Sequence, residues 1–212
     1  KDEAYVSIHD NLQFLEDATF LWTSERDGYN HVYHYNRNGA LLNQVTKGNW
    51  EVTELYGFNK KTKEIYYQSV EGSSTERGIY SVKLSGKGKR VLHETRGTNG
   101  ATFSVGGAYY IHSYSDEQTP PVYTLYATKK NKPLRQILNN DILIKNLSSF
   151  KLPDKEFSTL NVNGESLNMW IIKPNNFDSS KKYPVLMFQY SGPGSQEVAN
   201  RWGDDRLLWH KS

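Results

Sequence analysis

Glu64-Ile65-Tyr66-Tyr67, then a polar turn, then Ile79-Tyr80-Ser81-Val82: on this stretch the fold turns. Each run is short, aromatic and β-branched, as a strand lying on a pleated surface favours. Working outward, the same pair recurs on both sides. Thr19-Phe20-Leu21-Trp22 and Val32-Tyr33-His34-Tyr35 precede it; Ala108-Tyr109-Tyr110-Ile111 and Val122-Tyr123-Thr124-Leu125 follow it. Two more landmarks keep the interval. Phe14, Phe58 and Phe103 stand 44 and 45 positions apart ahead of the pairs, and Val45, Val91 and Ile137 stand 46 and 46 apart behind them. Three copies of about four strands, at a period of about 45 residues, match the blade of a β-propeller. An antiparallel sandwich also turns every ~8–12 residues, but it does not require four landmarks to drift together. Glu25-Arg26-Asp27-Gly28, Asn36-Arg37-Asn38-Gly39 and Glu71-Gly72-Ser73-Ser74 supply the Gly and Asn that positive-φ turn positions favour. Propellers have at least about four blades, so three imply a segment of a longer polypeptide.

Composition excludes several classes. The 212 residues carry 26 basic and 23 acidic side chains, a net charge of +3, too balanced for a nucleic-acid or membrane-surface protein on charge alone. No stretch approaches the ~18 consecutive apolar residues of a membrane-spanning helix. Lys1-Asp2-Glu3-Ala4 leads into no apolar run and does not read as a secretory signal. With no cysteine, a disulfide framework, thiolate-bound zinc and a thiol nucleophile are excluded. Hydrophobic residues make up only 36%, and Tyr (15) outnumbers Phe (8) and Trp (5) together. With a mean hydropathy of −0.74, this favours β-structure with many half-exposed edges over a helical bundle.

The repeat breaks between about 146 and 156. Asp141-Ile142-Leu143-Ile144-Lys145-Asn146-Leu147 has mixed periodicity and fits a short helix or a crossing segment. Phe157–Val162 and Ser166–Ile172 alternate on either side of Asn163-Gly164, the strongest short-range signal for a hairpin. After a polar loop from Asn175 to Lys182, Tyr183-Pro184 leads into Val185-Leu186-Met187-Phe188, a run suited to a central strand buried on both faces. Val198, Trp202, Leu208 and Trp209 could line one face of a helix beyond it. Hairpin, loop, buried strand, glycine-rich turn and helix are the opening of an α/β domain rather than another blade.

Chemistry concentrates in Tyr190-Ser191-Gly192-Pro193-Gly194, at the C-terminal end of the expected buried strand, where open α/β sheets place ligands. Glycines allow close backbone approach, and a phenol at a strand end can donate to a developing oxyanion. An ordinary turn with a packing tyrosine would look the same. No G-x-S-x-G nucleophile elbow occurs, and no Gly-Lys-Ser/Thr completes a phosphate loop. His31 and His34, at i and i+3 on a strand, should point to opposite faces, which argues against a shared metal. Glu25 with Asp27, and Glu51 with Glu54, read as solvated loop charges rather than acid/base pairs. Asn146-Leu147-Ser148 fits the N-glycosylation sequon, a triplet that also arises by chance.

Three blocks together resemble a known family: Phe20-Leu21-Trp22-Thr23-Ser24-Glu25-Arg26-Asp27-Gly28-Tyr29-Asn30-His31, Thr46-Lys47-Gly48-Asn49-Trp50-Glu51-Val52, and Tyr183-Pro184-Val185-Leu186 with Tyr190-Ser191-Gly192-Pro193-Gly194-Ser195-Gln196. In order and spacing, over essentially the whole chain, they are similar to the dipeptidyl peptidase IV branch of the prolyl oligopeptidase family of serine peptidases. The resemblance implies a mainly β fold. Residues 1–148 would be about three C-terminal blades of a β-propeller, and 149–212 the N-terminal part of an α/β-hydrolase domain. It implies release of N-terminal dipeptides from oligopeptides with penultimate Pro or Ala. Tyr190 takes the position of the oxyanion-hole tyrosine, with Ser195 and Gln196 as neighbours of the substrate pocket. The catalytic Ser, Asp and His would lie beyond Ser212, and the glutamate pair that holds the substrate amino terminus before Lys1. The isolated chain is accordingly expected to be inactive.

No cofactor, metal or nucleic-acid partner is expected; the resemblance implies a peptide substrate, a possible homodimer in the full-length parent, and a periplasmic, secreted or cell-surface location. The alternatives are a non-catalytic propeller-based binding module or pseudoenzyme, or another peptidase of the prolyl oligopeptidase clan.

Overall fold

A computed structural model describes residues 8–190, 192, 195–203 and 211. Its first 138 positions hold three four-stranded antiparallel sheets, each built from strands consecutive in sequence. The first contains β1 (Gln13–Phe14), β2 (Phe20–Ser24), β3 (His31–Tyr35) and β4 (Leu41–Gln44). The second contains β5 (Val52–Asn59), β6 (Glu64–Ser69), β7 (Gly78–Lys83) and β8 (Arg90–His93). The third contains β9 (Thr98–Phe103), β10 (Tyr109–Ser115), β11 (Val122–Ala127) and β12 (Lys132–Leu138). The period read from the sequence is therefore one meander per copy. Phe14, Phe58 and Phe103 each lie on the first strand of their sheet. The aromatic pairs occupy the two middle strands, in facing registers such as Trp22 with Tyr33 and Tyr67 with Tyr80.

Packing explains the recurrence. Along β6, Ile65 and Tyr67 join Leu21, Val32, Val45 and Val52 in a core between the first and second sheets. Tyr66 points the other way, into a second cluster with Ile79 and Leu92, against which Tyr56, Ala101 and Phe103 pack from the first strands of the second and third sheets. Alternate residues of one strand thus serve two interfaces, as the period-2 geometry of a strand dictates. Ile65, Tyr66, Tyr67, Ile79 and Tyr80 are all at most 1% exposed, which marks the second sheet as covered on both faces. The outermost strand of the third sheet, β12, is exposed along its whole length. A parallel bridge from Arg77 to Thr98 joins the second and third sheets.

Turn chemistry follows the sequence in part. Gly28 (φ 100°) and Gly39 (φ 81°) take the left-handed conformation their turns need, and Asn36 closes the second turn by accepting from the Asn38 and Ala40 amides at 2.9 and 3.0 Å. Gly72 is not among the positive-φ residues, so the third expected turn forms without that device.

Beyond the sheets, 141–147 resolves as a helix, α1 (Asp141–Leu147). The hairpin appears as read: β13 (Lys155–Val162) pairs with β14 (Glu165–Ile172), and Asn163 (φ 54°) and Gly164 (φ 91°) both carry the positive φ of a type I′ turn. One expectation fails. Val185-Leu186-Met187-Phe188 forms no strand, and its side chains are 87, 71, 79 and 46% exposed. Burial on both faces needs neighbouring strands and covering helices, and among the described residues no strand pairs with this run. Of the helix expected beyond Val198, residues 198–203 are irregular, while Leu208 and Trp209 lie outside the described residues. No helix among the described residues is long and apolar enough to cross a membrane.

Candidate active site

The approach to Tyr190 is set several residues earlier. Phe177 stacks on Tyr183 with ring centroids 5.2 Å apart, and the Asp178 amide donates to the Tyr183 hydroxyl at 3.0 Å. This pins the start of the 183–190 segment to the polar loop before it. Tyr190 follows, 64% exposed, with its ring folded over Gly192. A Cβ on Gly192 would sit 3.0 Å from both Cε1 and the hydroxyl oxygen of Tyr190, closer than such atoms normally approach. Glycine at this position is what lets the phenol lie against the turn.

Ser195 closes the turn. Its amide donates to the Gly192 carbonyl at 3.1 Å and its hydroxyl to the same carbonyl at 2.8 Å. The structure therefore brings Tyr190 and Ser195 together around Gly192. Gln196 is turned toward its own backbone, where Nε2 donates to the Val198 carbonyl at 2.6 Å. Ser191, Pro193 and Gly194 lie outside the described residues. Chemically, the arrangement offers an accessible phenol donor on a short, internally bonded turn.

The segment after the turn is tied to the sheets. The Asn200 amide donates to the Thr75 carbonyl at 2.7 Å, and its own carbonyl accepts from the Thr98 hydroxyl at 3.0 Å. Its side chain accepts from the Glu117 amide at 3.1 Å and reaches the Glu76 carboxylate at 3.4 Å. Sequence reasoning missed Asn200, because a single Asn in a polar stretch carries no periodicity or spacing signal.

The residues set aside on sequence grounds have other partners. His31 is fully buried, with Nδ1 3.1 Å from the Thr46 hydroxyl and Nε2 donating to the Gly48 carbonyl at 3.0 Å. His34 instead contacts the Thr19 hydroxyl at 2.8 Å. Glu25 lies 3.6 Å from His9, and Asp27 accepts from Gln44. Burial raises the Glu54 carboxyl, opposed by a hydrogen bond from Tyr56.

Comparison with known proteins matches this geometry to one family. Residues 1–121 fit the family model for the dipeptidyl peptidase IV (DPP IV) N-terminal region. The chain is 41% identical over 183 residues to dipeptidyl peptidase 4 of Arthroderma otae, covering 84% of this chain and 24% of that protein. It is 39% identical over 188 residues to dipeptidyl peptidase 4 of Trichophyton rubrum, again covering 84% and 24%. The crystal structure of Porphyromonas gingivalis dipeptidyl peptidase 4 superposes with a TM-score of 0.87 at 40% identity, over 93% of this chain and 28% of that one. The chain thus spans about a quarter of the length of the curated relatives it matches. Repeated meanders, sequence and superposition agree: the chain belongs to the dipeptidyl peptidase IV family.

Proposed function

We propose that this chain is part of a serine exopeptidase that removes N-terminal dipeptides from oligopeptides with Pro or Ala in the penultimate position. In this reading the three sheets, up to about residue 148, are propeller blades, and the chain from 149 begins the α/β-hydrolase domain. Tyr190 is the catalytic residue this chain contributes. As a serine supplied by the rest of the protein attacks the substrate carbonyl, the Tyr190 hydroxyl donates to the oxygen that becomes negative. It binds the tetrahedral species more strongly than the ground-state carbonyl, so the hydrogen bond lowers the barrier rather than merely aiding binding. The observation that carries the reading is an exposed phenol laid against Gly192, in a turn closed by Ser195 and followed by a segment bonded to the sheets.

Two measurements test it. The 212-residue chain alone should give no turnover of a Gly-Pro reporter. In the full-length protein, Tyr190→Phe should lower kcat by ~10²–10³, the loss of one oxyanion donor, with a much smaller effect on KM. Turnover by the isolated chain that an active-serine reagent abolishes, or a Tyr190→Phe enzyme with undiminished kcat, would refute the proposal.

A further inference from the structure

We infer that Asn200 is a positioning residue for the Tyr190 turn, holding it in register with the propeller rim where the second and third sheets meet. The inference rests on the oxyanion role proposed for Tyr190. Asn200 uses its backbone N–H and C=O and both polar atoms of its side chain, and every partner belongs to a strand or a connection of the second or third sheet. Thr75 and Glu76 belong to the connection between β6 and β7, Thr98 opens β9, and Glu117 lies between β10 and β11. One residue therefore bridges two sheets already joined by the Arg77–Thr98 bridge.

The side chain is specified as well as used. Oδ1 accepts from a backbone amide while Nδ2 donates to a carboxylate, a combination that a carboxamide supplies and an ionised carboxylate cannot. Asp at this position would set a second carboxylate against Glu76, which pairs with Arg96 at 3.3 Å. Between Ser195, which closes the turn, and Asn200 there are five peptide steps, so the turn stays within roughly 18 Å of the anchor. The Gln196 bond to Val198 takes up part of that slack. A phenol must meet an oxyanion at hydrogen-bond distance, so a loosened anchor costs rate through misplacement of the donor.

The test is a double-mutant cycle in the full-length protein. Asn200→Ala should lower kcat on a Gly-Pro reporter about tenfold or more, with KM changed less than about threefold. In a Tyr190→Phe background the same substitution should have little further effect, because the donor it positions is already gone. Multiplicative losses, or an unchanged kcat in Asn200→Ala, would overturn the inference while leaving Tyr190 in its role. An unchanged kcat in Tyr190→Phe would remove the role itself and the inference with it. Should Asn200→Ala fail to accumulate as folded protein, Thr98→Val removes one bond from the propeller side. It should lower kcat severalfold, with Thr98→Ser restoring it; no loss in Thr98→Val, or no recovery in Thr98→Ser, counts against the anchor.

Discussion

One asparagine shows how much a single carboxamide can organise. Asn99 is fully buried in β9, with Nδ2 donating to the Arg77 and Thr95 carbonyls at 2.8 Å each and Oδ1 accepting from His112 at 3.1 Å. While the Arg77 carbonyl would keep the backbone amide of residue 99 at 3.0 Å, Asn99→Ala would remove the bonds to the Thr95 carbonyl and from buried His112. It should destabilise the protein by about 1–3 kcal/mol, read as a lower urea midpoint with an unchanged slope. The sequence hides this role. Asn99-Gly100 is the same dipeptide as Asn163-Gly164, yet one lies inside a strand and the other makes the turn of a hairpin. Alternating runs on both sides made the second legible; what distinguishes the first is a set of carbonyls brought to it by other strands.

At the scale of elements, β8 and β10 are joined by two imidazoles. His93 and His112 stack with centroids 3.6 Å apart and planes 7° from parallel, and Tyr126 of β11 meets both edge-on. Tyr110 donates to Asn131, so its oxygen accepts from His93 Nε2 at 2.7 Å; Nε2 of His112 likewise donates to Asn99. Burial lowers both histidines, His93 to about 4 and His112, with the neighbouring His93 as a second cause, to about 3.

Depressed folded-state values mean that the unfolded chain binds more protons between those values and about 6.5. Stability should be fully present above pH ~6.5 and fall as the pH drops toward 4, by up to about 1.4 kcal/mol per pH unit for each proton taken up on unfolding. Urea unfolding across that window checks the slope, and His112→Phe should flatten it. A stability that rose on acidification would contradict the stacked neutral pair. None of this pairing was visible in the sequence, where His93 and His112 belong to different repeats.

For the molecule as a whole, the repeat carried most of the information. Three meanders and their aromatic middle strands followed from landmark spacing, and the hairpin from Asn163-Gly164 between two alternating runs, because strand period and turn chemistry are local. The 185–188 run was read correctly as apolar and wrongly as buried, since a sequence states which residues favour burial without naming what covers them. Four consecutive apolar residues between 46 and 87% exposed make an adhesive surface. The isolated chain should self-associate at high concentration. Val185→Ser with Met187→Ser should reduce that association in sedimentation velocity, leaving the melting temperature of the sheets unchanged. Undiminished association would place the contact elsewhere.

The two-sided use of β6 has a consequence for the chain's history. Neighbours along that strand face opposite partners, so inserting or deleting one residue within 64–69 would transpose the two faces, sending Tyr66 where Ile65 and Tyr67 now fit. Length variation among descendants of this sequence should collect in the connections flanking the strand, such as 70–77, with the strand itself keeping a constant count.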